Sequence, residues 1–126
     1  MSFEWFSKNE NEGIATIYDS NITLNKAASG YFDSAYSVML GYDPKTKTVA
    51  IKPLKKEADN LGHIPEDKKY KISIKQSYSR VSNKLFIKNL SDDTGIHFKK
   101  TEAHKFIATW DTSEKMLKID LSREVK

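Results

Sequence analysis

In Ile22-Thr23-Leu24-Asn25-Lys26-Ala27-Ala28 an apolar run passes directly into a helix signal, and the expected fold is built around this transition. Thr23 or Asn25 can accept hydrogen bonds from the free amide groups at the start of a helix. We predict a short helix over 26–32, and Gly30 limits its length.

A strand and a hairpin flank this helix in the sequence. Residues 14–18 are rich in apolar and β-branched side chains and predict a strand. Apolar and polar side chains alternate over 35–42, the turn residues of 43–47 follow, and a second strand is predicted over 48–52. The first part of the chain is therefore predicted to form a strand–helix–hairpin unit.

The second half of the chain contains a similar series. A strand is predicted over 70–79, a helix over 84–90, and a second hairpin from 105–110 and 116–121. The Asn-Lys pair at the start of each helix recurs after 58 residues, as Asn25-Lys26 and Asn83-Lys84. The pair of an aromatic residue and Asp before each turn, Tyr42-Asp43 and Trp110-Asp111, recurs after 68 residues.

These recurrences predict a degenerate duplication. The expected fold is α+β, with two similar strand–helix–hairpin units in one compact, β-rich, barrel-like domain. The N-terminal unit is 1–53, a polar connector spans 54–69, and the C-terminal unit is 70–126, with extra residues over 91–101. The alternative is an ordinary α+β domain that uses two hairpins without duplication.

The stretch 22–28, followed by a hairpin that ends in Val49-Ala50-Ile51-Lys52-Pro53, resembles the swapped-hairpin module of the AbrB/SpoVT/MraZ class. The similarity covers about 14–53 and 72–121. Two copies in one chain resemble the tandem arrangement of MraZ-type regulators, so the resemblance implies a prokaryotic DNA-binding regulator. Asn25 stands where the class usually has proline, and the DNA-contacting arginines of the class have no clear counterparts here.

Positive charge is concentrated in the second half. The chain has a net charge of +4, and the stretch 68–91 contains seven basic residues and no acidic one. Such a stretch is typical of surfaces that meet phosphate groups. We therefore predict that a lysine-rich face contacts the backbone of DNA or RNA through Lys69, Lys71, Lys75, Arg80, Lys84 and Lys88. Because only two of the 21 basic residues are arginine, base reading should contribute little.

The sequence offers no recognisable catalytic or metal site. It has no cysteine, no phosphate-binding loop and no nucleophile elbow. His97 and His104 do not match a metal-ligand spacing with the nearby carboxylates. Asp43 and Asp111 are typical of turns rather than of an acid–base pair. We expect a protein that is not an enzyme and that has no cofactor and no metal.

The aromatic residues leave two interpretations open. Phe3, Trp5 and Phe6 are expected either to pack back onto the domain or to bind a partner, such as a second copy in a homodimer. Tyr70 and Tyr78 alternate with the lysines and are expected on the apolar face of their strand.

Two hypotheses follow for function. The first is a small nucleic-acid-binding regulator, and the second is a protein–protein interaction or assembly module that does not bind nucleic acid. No secretion signal and no membrane-spanning run is evident, so a soluble, cytoplasmic protein with no membrane partner is expected.

Overall fold

The computed structural model describes residues 12–56 and 68–125. Buried side chains alternate with more exposed ones along short stretches of the chain, and these stretches form the strands of a sheet. The strands are β1 (Ile14–Ile17), β2 (Asn21–Leu24), β3 (Ser37–Asp43), β4 (Thr48–Leu54), β5 (Ser73–Ile74), β6 (Ser79–Ser82), β7 (His104–Asp111) and β8 (Met116–Glu124). The helices are α1 (Lys26–Ser29), which continues as a 3-10 turn over Gly30–Phe32, and α2 (Lys84–Thr94).

All strands belong to one antiparallel sheet in the order β3-β4-β8-β7-β1-β2-β6-β5. The sheet curls into a half-barrel. Just before β5, Tyr70 exchanges two backbone hydrogen bonds of 2.8 Å with Val38 of β3. The two edge strands of the sheet are β3 and β5, and the segment that contains β5 therefore connects them. The predicted β-rich α+β class is confirmed.

The inner side of the curled sheet forms a single apolar core. Phe32 and Phe106 are the largest fully buried side chains, and they lie among branched residues from the strands. Ile87 and Leu90 bring one face of α2 into the same core. Burial of these side chains is the main stabilising term of the fold, because the free energy gained scales with the apolar area removed from water.

The strand pairings have an internal symmetry. If the labels β1 and β5, β2 and β6, β3 and β7, and β4 and β8 are exchanged, the same set of paired strands results. This holds when the Tyr70–Val38 bridge is counted as a pairing of β5 with β3. The two hairpins share one register, since Tyr42 pairs with Val49 and Trp110 with Leu117. Both turns end in a lysine with a φ of 55°, Lys47 and Lys115.

The helix starts also correspond. Asn25 Oδ1 accepts a hydrogen bond of 3.1 Å from the backbone N–H of Ala28. Asn83 Oδ1 accepts one of 3.0 Å from the backbone N–H of Phe86. Each asparagine thus satisfies one of the amide groups that a helix start leaves unpaired, as predicted for Asn25.

The structure corrects two sequence predictions. Residues 21–24 form β2, a strand that was not predicted before the helix, because Ile22 and Leu24 are buried by pairing with β1 and β6. Residues 70–79 do not form one strand, since the chain reverses between Lys75 and Tyr78. As a result Ser79 is fully buried, and Tyr78 contacts Arg80 rather than lying on the apolar face.

Candidate nucleic-acid interface

The reversal before β6 brings three of the predicted cations to one side of the sheet. Ser73 pairs directly with Arg80, and directly paired residues of antiparallel strands share a face. Along the chain, exposed Lys71, Ser73 and Lys75 alternate with half-buried residues. Lys71 and Lys75 lie two residues on either side of Ser73, so this alternation puts them on the same side as Arg80, where diagonal neighbours of paired strands are about 7–8 Å apart.

This face continues across three more strands. Arg80 pairs with Thr23 of β2, Thr23 pairs with Thr16 of β1, and Thr16 pairs with Lys105 of β7. We call this series the outer row, and it consists of Ser73, Arg80, Thr23, Thr16 and Lys105. Neighbouring strands lie about 4.8 Å apart, so the Cα atoms of Arg80 and Lys105 are separated by roughly 14 Å along the sheet.

The outer row presents hydroxyl groups between cations. It contains no Asp or Glu, and within 12–56 and 68–125 none of Lys71, Lys75, Arg80 and Lys105 forms an ion pair. The Arg80 guanidinium lies 5.5 Å from the centroid of the Tyr78 ring, a distance typical of a cation–π contact. The positive charge of this face is therefore not neutralised by the neighbouring described side chains.

The remaining predicted cations lie elsewhere. Lys84 and Lys88 are one turn apart on α2, where they border a narrow cleft of about 220 Å³ together with Asp19 and Phe98. Lys69 immediately precedes Tyr70, beside β3. The predicted partner-binding residues Phe3, Trp5 and Phe6 lie outside the described residues.

Lys105 is a member of the outer row that the sequence analysis missed. It lies 25 residues after Arg80 in the sequence and reaches the row only because β7 pairs with β1. Its exposed position in an alternating strand was visible in the sequence, but the order of the strands was not.

Away from the outer row, the Asp93 carboxylate binds two side chains of the first hairpin. The Asp93 carboxylate accepts hydrogen bonds from Tyr42 Oη at 2.6 Å and from Lys47 Nζ at 3.0 Å, and these bonds lower the pKa of Asp93. Burial and the bond to Asp93 raise the pKa of Tyr42 to about 12. This contact joins α2 to the hairpin of β3 and β4.

The two turn aspartates act as predicted. Asp43 Oδ1 accepts a hydrogen bond from the backbone N–H of Lys45 at 2.9 Å, and Asp111 Oδ1 accepts one from Glu114 at 3.0 Å. Lys118 lies 2.9 Å from Asp111 Oδ2 and is the first cause of the lowered pKa of Asp111. Both carboxylates therefore stabilise their hairpins.

His97 and His104, the two histidines in the described part of the chain, have different surroundings. His104 Nδ1 lies 2.5 Å from Glu124 Oε1, and His97 is exposed. No group of three or more potential ligands occurs in the part of the chain that the structure describes. Among the described helices, none has the length and apolar character that a membrane crossing needs.

Comparison of the chain with protein-family models, with curated proteins and with solved structures finds no match.

Proposed function

We propose that this chain is a small non-enzymatic regulator that binds nucleic acid through the phosphate backbone. The outer row is the observation that carries the proposal, because it combines hydroxyl groups with cations that form no ion pair among the described residues. Lysine, arginine, serine and threonine are common donors to phosphate oxygens. Lys71 and Lys75 flank the row, whereas Lys84 and Lys88 border a separate cleft on α2.

The chemistry of this face favours the backbone over the bases. Arg80 is the only guanidinium of the proposed contact, and guanidinium groups supply the commonest bidentate contact to guanine. Tyr78 is the aromatic residue that contacts a cation of the outer row, whereas surfaces specialised for single strands stack successive bases on several aromatic rings. Binding should therefore depend strongly on salt and weakly on sequence.

The proposal includes a degenerate duplication of the AbrB/SpoVT/MraZ kind, with units 1–53 and 70–126 joined by 54–69. The equal hairpin registers, the asparagine caps and the exchangeable strand pairings support it. The 3-10 turn after α1 places Tyr31 on Trp110 of the second hairpin, and α2 places Asp93 on Tyr42 of the first. Each helical region thus has a side-chain contact with the hairpin of the other unit, which supports a swapped-hairpin arrangement.

Titration of fluorescent random duplex DNA at several salt concentrations tests this function. If about six phosphates are neutralised, the logarithm of affinity should fall with the logarithm of salt at a slope of about −5. The triple variant Lys71→Gln, Lys75→Gln and Arg80→Gln should reduce the magnitude of that slope by about 3.

The matched control replaces three exposed lysines outside the outer row, Lys45, Lys55 and Lys115, with glutamine. This control has the same net charge as the first triple variant but should keep nearly the wild-type slope. Absence of binding at low salt, or equal losses in the two triple variants, would contradict a localised phosphate-binding face.

A further inference from the structure

The outer row has an uncharged polar centre with a cation on each side. Thr23 of β2 and Thr16 of β1 lie between Arg80 and Lys105 in the series of paired residues. Arg80 and Lys105 are exposed, and the two threonines are partly exposed. Because the apolar core lies on the inner side of the curled sheet, this row lies on its convex side. The convex surface therefore presents hydroxyl groups between two positive charges.

The width of this surface distinguishes between the grooves of nucleic acid duplexes. The minor groove of B-DNA is about 6 Å wide, which is less than the roughly 14 Å between the Cα atoms of the two cations. The major groove of B-DNA admits a helix or a two-stranded ribbon rather than a wider sheet. The minor groove of A-form RNA is wide and shallow, and it displays 2′-hydroxyl groups beside the phosphates. The convex surface is therefore complementary to the RNA minor groove.

The Thr23 hydroxyl adds a chemical distinction between RNA and DNA. Thr23 Oγ1 donates its single proton to Asn21 Oδ1 at 2.9 Å, so its lone pairs are what it offers to a ligand. The phosphate and sugar oxygens along a DNA backbone are acceptors and cannot donate to Thr23. The ribose 2′-hydroxyl both donates and accepts. A ribose therefore satisfies Thr23, whereas a deoxyribose does not.

We propose that the outer row binds the minor groove of double-stranded RNA. Arg80 and Lys105 contact phosphates on the two sides of the groove, and Thr16 and Thr23 contact 2′-hydroxyl groups between them. This inference rests on the proposed function, because the phosphate contacts supply the sequence-independent part of the affinity. The threonines add a preference for RNA over DNA of about two- to tenfold, the range expected for one net hydrogen bond.

Fluorescence anisotropy with three duplexes of one sequence tests the inference at a single salt concentration. The duplexes are RNA, DNA, and RNA in which every ribose carries a 2′-O-methyl group, which retains the A-form but removes the donor proton. We expect RNA to bind about two- to tenfold more tightly than either of the others. Equal affinity for RNA and DNA would overturn this inference and leave the proposed function standing. Equal affinity for RNA and methylated RNA would overturn the 2′-hydroxyl contact.

Two double variants separate the threonines of the row from other threonines on the same face. Thr16→Val with Thr23→Val should abolish the preference for RNA and leave the salt dependence unchanged, because no charge is altered. The matched control is Thr48→Val with Thr109→Val, since these threonines also alternate with buried residues but lie outside the outer row. The control should retain the preference, and circular dichroism shows whether both variants are folded.

Equal preferences in the two double variants would contradict recognition by the row. Absence of binding to all three duplexes at low salt would instead contradict the proposed function itself. The two failures are therefore distinguishable in one set of titrations.

Discussion

Two buried hydroxyl groups meet where Ser29 at the end of α1 faces Ser79 at the start of β6. Their Oγ atoms lie 2.8 Å apart, and Ser29 Oγ also donates to the Leu24 carbonyl oxygen at 3.1 Å. Because Ser29 uses its single proton on Leu24, Ser79 is the donor to Ser29. The two serines therefore do not contribute equally.

We expect Ser29→Ala to lower the free energy of unfolding by about 1–3 kcal/mol, because it leaves the buried Ser79 hydroxyl without an acceptor. Ser79→Ala should cost only about 1 kcal/mol, since Ser29 keeps its bond to Leu24. Urea denaturation of both variants and of the double variant measures this coupling. If the single losses simply add in the double variant, the two hydroxyl groups are not coupled, and a larger loss for Ser79→Ala than for Ser29→Ala would contradict the assigned direction of the hydrogen bond.

The Asp93 contact makes stability depend on pH at both ends of the range. Its lowered pKa means that the folded protein binds this proton less readily than the unfolded chain. The contribution of the Asp93 carboxylate to the free energy of unfolding is present above the ordinary carboxyl pKa of about 3.9 and is lost as pH falls through the lowered pKa. Asp93→Asn should therefore reduce stability near neutral pH and flatten its decline in acid, as measured by urea denaturation across that range.

Tyr42 reports the same contact at high pH. Its pKa of about 12 means that the folded protein favours the protonated phenol, a stabilising effect that is lost as pH rises towards that value. In Asp93→Asn the Tyr42 pKa should fall, although burial keeps it above the ordinary value of about 10. Tyrosinate absorbance, taken as the difference from Tyr42→Phe, measures the shift. An unchanged pKa would mean that burial alone sets it.

The two asparagine caps differ in how many groups they satisfy. Asn83 Oδ1 accepts a hydrogen bond from Phe86, and Asn83→Ala should cost about 1 kcal/mol. Asn25 Oδ1 accepts from both Ala28 and Ile14, and its Nδ2 donates to Glu12, so Asn25→Ala should cost about 2–3 kcal/mol.

Aspartate separates the acceptor role from the donor role at these caps. Asn83→Asp should be nearly neutral, because aspartate is an equally good cap. Asn25→Asp keeps the acceptors but loses the bond to Glu12, so it should fall between wild type and Asn25→Ala. Thermal denaturation ranks the variants, and equal costs for the two alanine variants would contradict the additional role of Asn25.

Sequence pattern was sufficient for elements whose boundaries are marked by local chemistry. The hairpins of β3–β4 and β7–β8 were predictable because alternation is interrupted by Asp and further turn residues. The chain reversal between Lys75 and Tyr78 was not, since neither glycine nor proline marks it. This reversal changes which side chains are buried and places Arg80 beside Lys71 and Lys75. The outer row therefore required the pairing of distant strands to be known.

The two ends of the described chain, in β1 and β8, lie on opposite sides of β7. Phe106 of β7 pairs with Ala15 of β1 on one side and with Glu124 of β8 on the other. Two strand spacings separate these neighbours by about 10 Å. Residues 1–11 together with Lys126 can span up to about 40 Å when extended, so joining Lys126 to Met1 should not strain the sheet.

If the two hairpins are equivalent, circular permutants opened at corresponding turn positions should behave alike. We expect chains opened between Lys45 and Thr46, or between Ser113 and Glu114, to fold with similar losses of stability, because both cuts fall in exposed turns. A chain opened between Ala50 and Ile51 should not fold, since that cut interrupts β4 between β3 and β8 in the centre of the pairing. Circular dichroism and urea denaturation compare the three. A large difference between the two turn permutants would contradict the equivalence of the hairpins, and cooperative folding of the third would contradict the central role of β4.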